Sequence, residues 1–247
     1  MISVTILNKN SAGTLKKVLA SLQAFEEIIL LDTGSTDDSL RIAQSFSNVE
    51  IHKGVFTGFG KLHNQATSLA KNDWILSLDS DEVMTEALEK EIFLLSLKKG
   101  HIYSFPMHNY YNDKLIQCCG WYPDRHIRLF HRKDTQFTNA HVHEAIISDG
   151  LKEISLKSPV EHYSYKNISD FLTKMQRYSD LFVQENQGRK KSSLRKAIFH
   201  GLGAFMKSYF LKKGFSGGYE GFIISVYNAN TAFYKYLKLH EANQKLN

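Results

Sequence analysis

Two apolar runs that break off abruptly in carboxylates constrain this chain most. One is Ile28-Ile29-Leu30-Leu31-Asp32, continuing into Thr33-Gly34-Ser35-Thr36-Asp37-Asp38. The other is Trp74-Ile75-Leu76-Ser77-Leu78-Asp79, continuing into Ser80-Asp81-Glu82. Short continuous apolar runs read as strands buried on both faces, as in a parallel sheet covered by helices. In open sheets of that kind, ligands bind beyond the carboxyl ends of the strands. Two strands that deliver Asp to one edge therefore predict a site for a polar, metal-bearing ligand. A nucleotide diphosphate is the obvious candidate.

The surrounding pattern supplies the rest of such a sheet. Residues 2–8 read as a first strand, and 12–24 carry Leu15, Val18, Leu19 and Leu22 at helical spacing. Thr36 is a good helix N-cap with Asp37 and Asp38 in its first turn, ahead of Leu40, Ile42, Ala43 and Phe46. A short strand over 49–53, a helix over 61–71 and a helix over 84–97 complete the alternation, which predicts a doubly wound sheet. Residues 101–160 then change character. They are rich in Tyr, Phe, His and Ile in short alternating runs, which predicts mixed or antiparallel strands and loops. From about 168 the chain reads as helical, with Gly214, Gly217 and Gly218 separating two helices. The expected division is 1–165, in halves 1–100 and 101–165, followed by a helical region 166–247.

Bulk properties narrow the setting. The 247 residues suffice for a large core. The two cysteines, Cys118 and Cys119, are adjacent and make a poor staple, so a reduced, cytoplasmic setting is expected. Met1–Asn8 lacks a basic stretch followed by a long apolar run and reads as a strand rather than a signal peptide. No stretch is long and apolar enough to span a bilayer. The net charge of +6 concentrates after Gly188, at Arg189, Lys190, Lys191, Arg195, Lys196, Lys207, Lys212 and Lys213. Interleaved with Phe199, Phe205, Tyr209 and Phe210, these suit an interfacial helix on anionic lipid. The alternative is a packed helix with its basic face in water. Charge alone would also admit nucleic acid, but no recognition motif supports that partner. No Gly-x-Gly-x-x-Gly follows the first strand, which argues against a dinucleotide enzyme.

Asp79-Ser80-Asp81 is an Asp-x-Asp at a strand end. Oxygen ligands of this kind suit Mg²⁺ or Mn²⁺ shared with substrate phosphates, although an isolated match reads equally as a solvated turn. Taken with Leu31-Asp32-Thr33-Gly34-Ser35-Thr36-Asp37, it resembles the family 2 inverting glycosyltransferases of GT-A fold. The two segments are similar to that family's Val-Asp-Asp-Gly-Ser-Thr-Asp and Asp-Ala-Asp-Glu signatures. Ser3–Asn10 resembles its first strand and nucleotide-facing loop, and Gly60-Lys61-Leu62-His63-Asn64-Gln65-Ala66 its Lys-x-x-Asn-x-Ala helix. Thr33 departs from the second Asp of the first signature, and Leu-Asn-Lys-Asn from the usual Pro-Thr-Tyr-Asn. The resemblance implies a mixed, mostly parallel sheet flanked by helices with a C-terminal helical extension. Residues 1–100 would then be the nucleotide-sugar half and 101–165 the acceptor half. It implies a UDP-sugar donor held by Asn8, Asp32, Lys61, Asp79 and Ser80. Asp32 would lie at the uracil or ribose, Asp79 at the ribose or sugar, and Asp81 on the metal.

Inverting transfer needs one general base on the acceptor side. The candidate is Glu144, in Asn139-Ala140-His141-Val142-His143-Glu144. On a strand His141 and His143 share a face opposite Glu144. They read either as a metal cluster with His162 as a further ligand, or as histidines satisfying buried polar groups. The segment resembles the His-Glu element of the lipopolysaccharide-core glucosyltransferase branch. That likeness implies Glu144 as base and a histidine, His143, near the metal or diphosphate. Trp121-Tyr122-Pro123-Asp124-Arg125-His126-Ile127-Arg128 is similar to that branch's acceptor segment, which implies acceptor contacts at Trp121, Arg125 and Arg128. Arg128 reads equally as a structural ion pair and Trp121 as core. Gly214-Phe215 and Gly217-Gly218-Tyr219-Glu220-Gly221-Phe222 also resemble that branch. The activity implied is metal-dependent, non-processive transfer of a hexose, glucose from UDP-glucose, to a lipopolysaccharide-core or related glycolipid acceptor. Its place would be the cytoplasmic membrane's inner face, as a peripheral protein. Other readings are a peptide or polyprenyl phosphate acceptor, or a non-catalytic nucleotide-sugar or membrane-binding module.

Overall fold

A computed structural model of the chain describes residues 1–139 and 144–246. The chain divides into two compact units. One is Met1–His108 with Arg125–Tyr163, and the other is Asn109–Asp124 with the residues from Ser164 onward. The sequence groups 109–124 with the strands before it. In the structure this segment packs with the C-terminal helices, because Ile116, Cys118 and Cys119 share one apolar cluster with Phe171 and Ile224.

In the first unit β1 (Ile2–Asn8), β2 (Ile28–Asp32), β3 (Val49–Lys53) and β4 (Trp74–Asp79) lie parallel in the order β3-β2-β1-β4. Helices α1 (Ala12–Ala20), α2 (Ser39–Ala43) and α3 (Phe59–Leu69) connect them. Then come β5 (Glu82–Met84), α4 (Glu86–Phe93) and β6 (His101–Tyr111), whose last residues pair with β7 (Lys114–Leu115) in the second unit. The first unit resumes with β8 (Arg125–His131), β9 (Lys152–Ser155) and β10 (Val160–Tyr165). β8 runs antiparallel to both β4 and β6, β9 parallel to β6, and β10 antiparallel to β5. The result is the mixed sheet flanked by helices that the GT-A resemblance implies.

β2 shows why the acidic tips lie where they do. All five of its residues are buried. Ile28 and Leu30 join Val4, Leu15, Val18 and Leu76 on one face of the sheet, while Ile29 joins Ile75 and Phe130 on the other. Each such side chain contributes about 1.5–3 kcal/mol when fully buried. A one-residue slip would exchange the two faces, so the register is strongly specified. That register sets Asn8 beside Asp32 and Leu7 beside Asp79. Both tips therefore reach one edge of the sheet, on either side of β1 and roughly 10 Å apart.

Helix boundaries differ from the sequence expectation: α3, expected over 61–71, runs Phe59–Leu69, and α1, α2 and α4 differ for reasons visible in their hydrogen bonds. α1 stops at Ala20; tighter turns follow, Leu22 N–H donating to Leu19 O and Phe25 N–H to Leu22 O (both 3.1 Å), and Leu22 and Phe25 stay in the core. α2 starts after Asp38 rather than after Thr36. The Thr36 amide donates to Asn10 Oδ1 (2.8 Å) and the Asp37 carboxylate accepts from the amides of Ala12 and Ser39 (2.9 and 3.0 Å). Residues 33–38 are thereby bound to the loop after β1 instead of opening a helix. α4 is shorter than 84–97. Thr85 caps it by accepting from the Leu88 amide at 3.1 Å, and Glu82–Met84 form a strand instead.

The second unit is helical: α5 (Ile168–Asn186), α6 (Leu194–Met206), a π-helical turn over Lys207–Leu211, a 3₁₀ turn over Gly214–Gly217, and α7 (Gly218–Gln244). Asn167 and Asp170 form a capping box at the start of α5. Both cysteines are free and buried here, and burial pushes the Cys118 thiol up to about 11. Among the described residues no helix is long and apolar enough to cross a membrane.

Candidate functional site

The β2 tip is a closed hydrogen-bonded turn. Gly34, at φ +95°, bends the chain so that its own amide and that of Ser35 donate to Asp32 Oδ2 at 3.0 and 2.9 Å. The Ser35 hydroxyl and the Asn8 Nδ2 amide donate to Oδ1, the latter at 2.7 Å. Burial opposes ionisation of Asp32, but these donors outweigh it and hold the carboxyl below its ordinary value. Asn8 is enclosed too. It donates to Asp32 and Ser35 and accepts from the Ser11 hydroxyl. Asn8 and Asp32 are thus buried and build the loop at the sheet edge, while Asn10 and Thr36 form its exposed rim.

The β4 tip is an ion network. Arg128, from β8, donates to Asp79 Oδ2 at 2.7 Å and to Glu82 Oε1. Glu82 is fully buried and its other oxygen accepts from the Asp79 amide at 3.1 Å. Burial and the neighbouring Asp79 charge push the Glu82 carboxyl above its ordinary range. Asp79 is itself opposed by desolvation, but Arg128 holds it well below that range. Of the two carboxylates Asp79 is the more exposed and keeps its charge. Ser80 is tied to α1 through its carbonyl, which accepts from the Thr14 hydroxyl at 2.8 Å.

Asp81 faces His162 of β10, with 3.5 Å between Asp81 Oδ1 and His162 Nε2. Desolvation opposes protonation of His162, but Asp81, Glu82 and Asp79 outweigh it and raise the imidazole above its usual value. The two side chains are partly exposed and offer one carboxylate and one imidazole. Carboxylate oxygen with imidazole nitrogen suits Mn²⁺ and is a workable donor set for a cation that also takes phosphate oxygens. Among the described residues no three His, Cys, Asp or Glu converge to hold a metal by themselves. His141 and His143 lie outside the described residues.

Glu144 sits at the end of a strap held by α3. Asn64 Oδ1 accepts from the Phe137 amide at 2.9 Å, and its Nδ2 donates to the Phe137 carbonyl at 3.0 Å. The Phe137 and His63 rings stack at 4.4 Å. Phe137 then bridges to Ile146, and the Thr138 amide donates to the Ala145 carbonyl at 2.8 Å. Across this strap, Glu144 Oε1 lies 3.8 Å from His63 Nε2. His63 is buried, and desolvation pushes it down to about 4, so it is neutral near pH 7. Its other ring nitrogen meets the Ser77 hydroxyl at 3.2 Å. Asp79 and Arg128 act on it in opposite directions, and desolvation outweighs both.

The structure thus gathers Asn8, Asp32, Asp79, Ser80, Asp81 and Glu144 in one unit. Lys61 is exposed in the first turn of α3. The two arginines and Trp121 are differently employed. Arg128 is enclosed in the ion network, the alternative its sequence reading left open, because β8 aims it at the β4 tip. Arg125 is exposed, and its Nη1 donates to the carbonyls of Ser104 and Leu156 at 3.0 and 2.9 Å. Trp121 belongs to the second unit, where it stacks on Tyr165 at 5.3 Å beside Phe171. Sequence reasoning assigned no role to His63 or Glu82. His63 directly precedes the motif asparagine, and Glu82 directly follows the Asp-x-Asp, and adjacency was the only signal available.

Comparison with known proteins follows the same line. The family model for glycosyl transferase family 2 matches residues 3–153. An uncharacterized glycosyltransferase of Rickettsia bellii is 27% identical over 264 residues, covering 100% of this chain and 88% of its own. The lipopolysaccharide core biosynthesis glycosyltransferase LpsC of Rhizobium meliloti is 24% identical over 251 residues, covering 97% of this chain and 92% of its own. Among solved structures, S. aureus TarS 1–349 in complex with UDP-GlcNAc matches with 14% identity and a TM-score of 0.47, over 99% of this chain and 91% of that one. With more than half of its length matched by the family model, the chain belongs to glycosyl transferase family 2.

Proposed function

We propose that the protein is an inverting, non-processive glycosyltransferase that moves a hexose, glucose from UDP-glucose, to a lipopolysaccharide-core sugar or a related glycolipid. The observation that carries this reading is that the candidate base and the Asp-x-Asp tip share one buried neighbour. Glu144 faces His63, whose other ring nitrogen meets the Ser77 hydroxyl on the strand that ends in Asp79. The 24% identity to LpsC over nearly the whole chain supports the acceptor class. A glycolipid acceptor would place the protein at the inner face of the cytoplasmic membrane.

In this mechanism the turn shaped by Asp32 and Asn8 receives the nucleoside, and Lys61, Asp79 and Ser80 flank the diphosphate and sugar. Asp81 and His162 would hold a divalent cation, which supplies neutralisation of the charge that builds on the departing diphosphate. The acceptor hydroxyl attacks the anomeric carbon from the side opposite the diphosphate. Its proton passes to the Glu144 carboxylate as the new C–O bond forms. The bond from the anomeric carbon to the diphosphate oxygen breaks, UDP leaves with that electron pair, and the configuration inverts. Neutral His63 and the Asn64-held strap fix Glu144 without placing a cation beside the oxygen that takes the proton. Titrating the protein with a panel of nucleotide sugars in Mn²⁺ tests this reading: one donor binds, and Asp81→Ala removes its metal-dependent binding. Absence of binding by every donor would overturn it.

A further inference from the structure

α6 buries its small residues and exposes its large ones. Ala197 and Gly201 are buried against α7, and a Cβ added at Gly201 would stand 3.1 Å from Phe233 Cβ. Ser208, in the π-helical turn that follows α6, is also buried and accepts from Ser225 and Asn228 at 3.2 and 3.0 Å. On the outer side Leu194, Ile198, Leu202 and Met206 recur at every fourth position and all are exposed. Phe199, at 73% exposed, widens the stripe, and Leu211, at 80%, extends it past the π-helical turn. A helix of a water-soluble domain turns its large apolar stripe inward. Here the stripe faces out, and a contiguous patch of this kind marks an interaction surface.

The charge of the same segment identifies the occupant. Between Gln187 and Gly217 there are eight Lys or Arg and no Asp or Glu. Arg195, Lys207, Lys212 and Lys213 are exposed alongside the apolar stripe. A second copy of the chain would bring two sets of these cations together. Nucleic acid would gain nothing from Leu, Ile and Met. An apolar interior beneath a layer of anions satisfies both halves of the surface.

We propose that the outer face of α6 and the turn after it dock on an anionic phospholipid bilayer. Ile198, Phe199, Leu202 and Met206 enter the acyl boundary, and Arg195, Lys207, Lys212 and Lys213 meet headgroup phosphates. This deepens the glycolipid reading, since such an acceptor lies at that surface, but vesicle binding and donor binding are separate measurements.

The test is flotation of the full chain with vesicles of phosphatidylcholine alone and of phosphatidylcholine with an equal share of phosphatidylglycerol. The protein should float with the anionic vesicles only. Phe199→Glu combined with Leu202→Glu, both at exposed positions, should abolish flotation without moving the thermal midpoint. Lys212→Gln combined with Lys213→Gln should lower partitioning about thirty-fold, and would still decide the matter if the first variant did not fold. Three results would overturn the proposal. The wild type could ignore anionic vesicles, the Glu variant could float like the wild type, or the Glu variant could convert a wild-type dimer to a monomer while neither binds vesicles. UDP-glucose titration of the same samples separates the readings. A wild type that binds donor but does not float overturns docking alone, and a wild type that floats but binds no donor overturns the transferase reading alone.

Discussion

His63 Nε2 lies 3.8 Å from Glu144 Oε1, and Nδ1 of the same ring lies 3.2 Å from the Ser77 hydroxyl. One buried imidazole thus links the floor of the sheet to the carboxylate proposed as the base. If Glu144 takes the acceptor proton, Glu144→Gln keeps the shape of the site and loses the base. The turnover number should fall about a hundred- to ten-thousand-fold, while the dissociation constant for UDP stays within about twofold of wild type. Steady-state kinetics and calorimetry on one preparation check both.

The same imidazole makes stability depend on pH with a definite sign. Burial lowers its pKa from 6.5 to about 4. Above 6.5 neither the folded nor the unfolded chain protonates it, and its contribution is constant. As the pH falls below 6.5 the unfolded chain gains a proton that the folded chain refuses, so stability is lost until about pH 4. From 6.5 down to pH 5 the loss is about 2 kcal/mol. Urea unfolding of wild type and His63→Gln at pH 7 and pH 5 should show a smaller acid loss in the variant by that amount.

Asn64 holds both backbone groups of Phe137. Asn64→Ala leaves those groups without their partner, at a cost of about 1–3 kcal/mol. It also loosens the strap that carries Glu144. The expected outcome is a lower turnover number with unchanged UDP affinity, together with a lower urea midpoint.

Arg128 compensates two acidic side chains, one of them fully buried. Arg128→Met should destabilise the protein by about 1–3 kcal/mol, because the buried Glu82 carboxyl loses its donor. Adding Glu82→Met removes the orphaned carboxyl and should recover part of the loss. Equal stability of the single and double variants would contradict a buried network.

The edge of the sheet was legible in the sequence because a strand buried on both faces is apolar throughout, so its carboxylate marks its end. Parallel register then carried Asp32 and Asp79 to one edge. For Arg128 the sequence left an ion pair open beside an acceptor contact, but not the identity of its partners. Its partners Asp79 and Glu82 lie on other strands, and only the antiparallel placement of β8 brings them within reach. The role of His63 depends on which face of α3 meets the sheet, and the pattern of that helix does not isolate it. The start of α2 was misplaced because Thr36 and Asp37 are helix-capping residue types whose hydrogen bonds go to the loop after β1. The place of 109–124 was hidden for a similar reason: its apolar residues find their partners in helices more than forty residues further along the chain.

The most direct test of the account is UDP release from UDP-glucose in Mn²⁺ with a lipopolysaccharide-core acceptor, comparing wild type with Glu144→Gln. Both proteins should bind UDP-glucose alike, and only the wild type should release UDP at an acceptor-dependent rate. Equal release by the two proteins, or failure of the wild type to bind the donor, would contradict it.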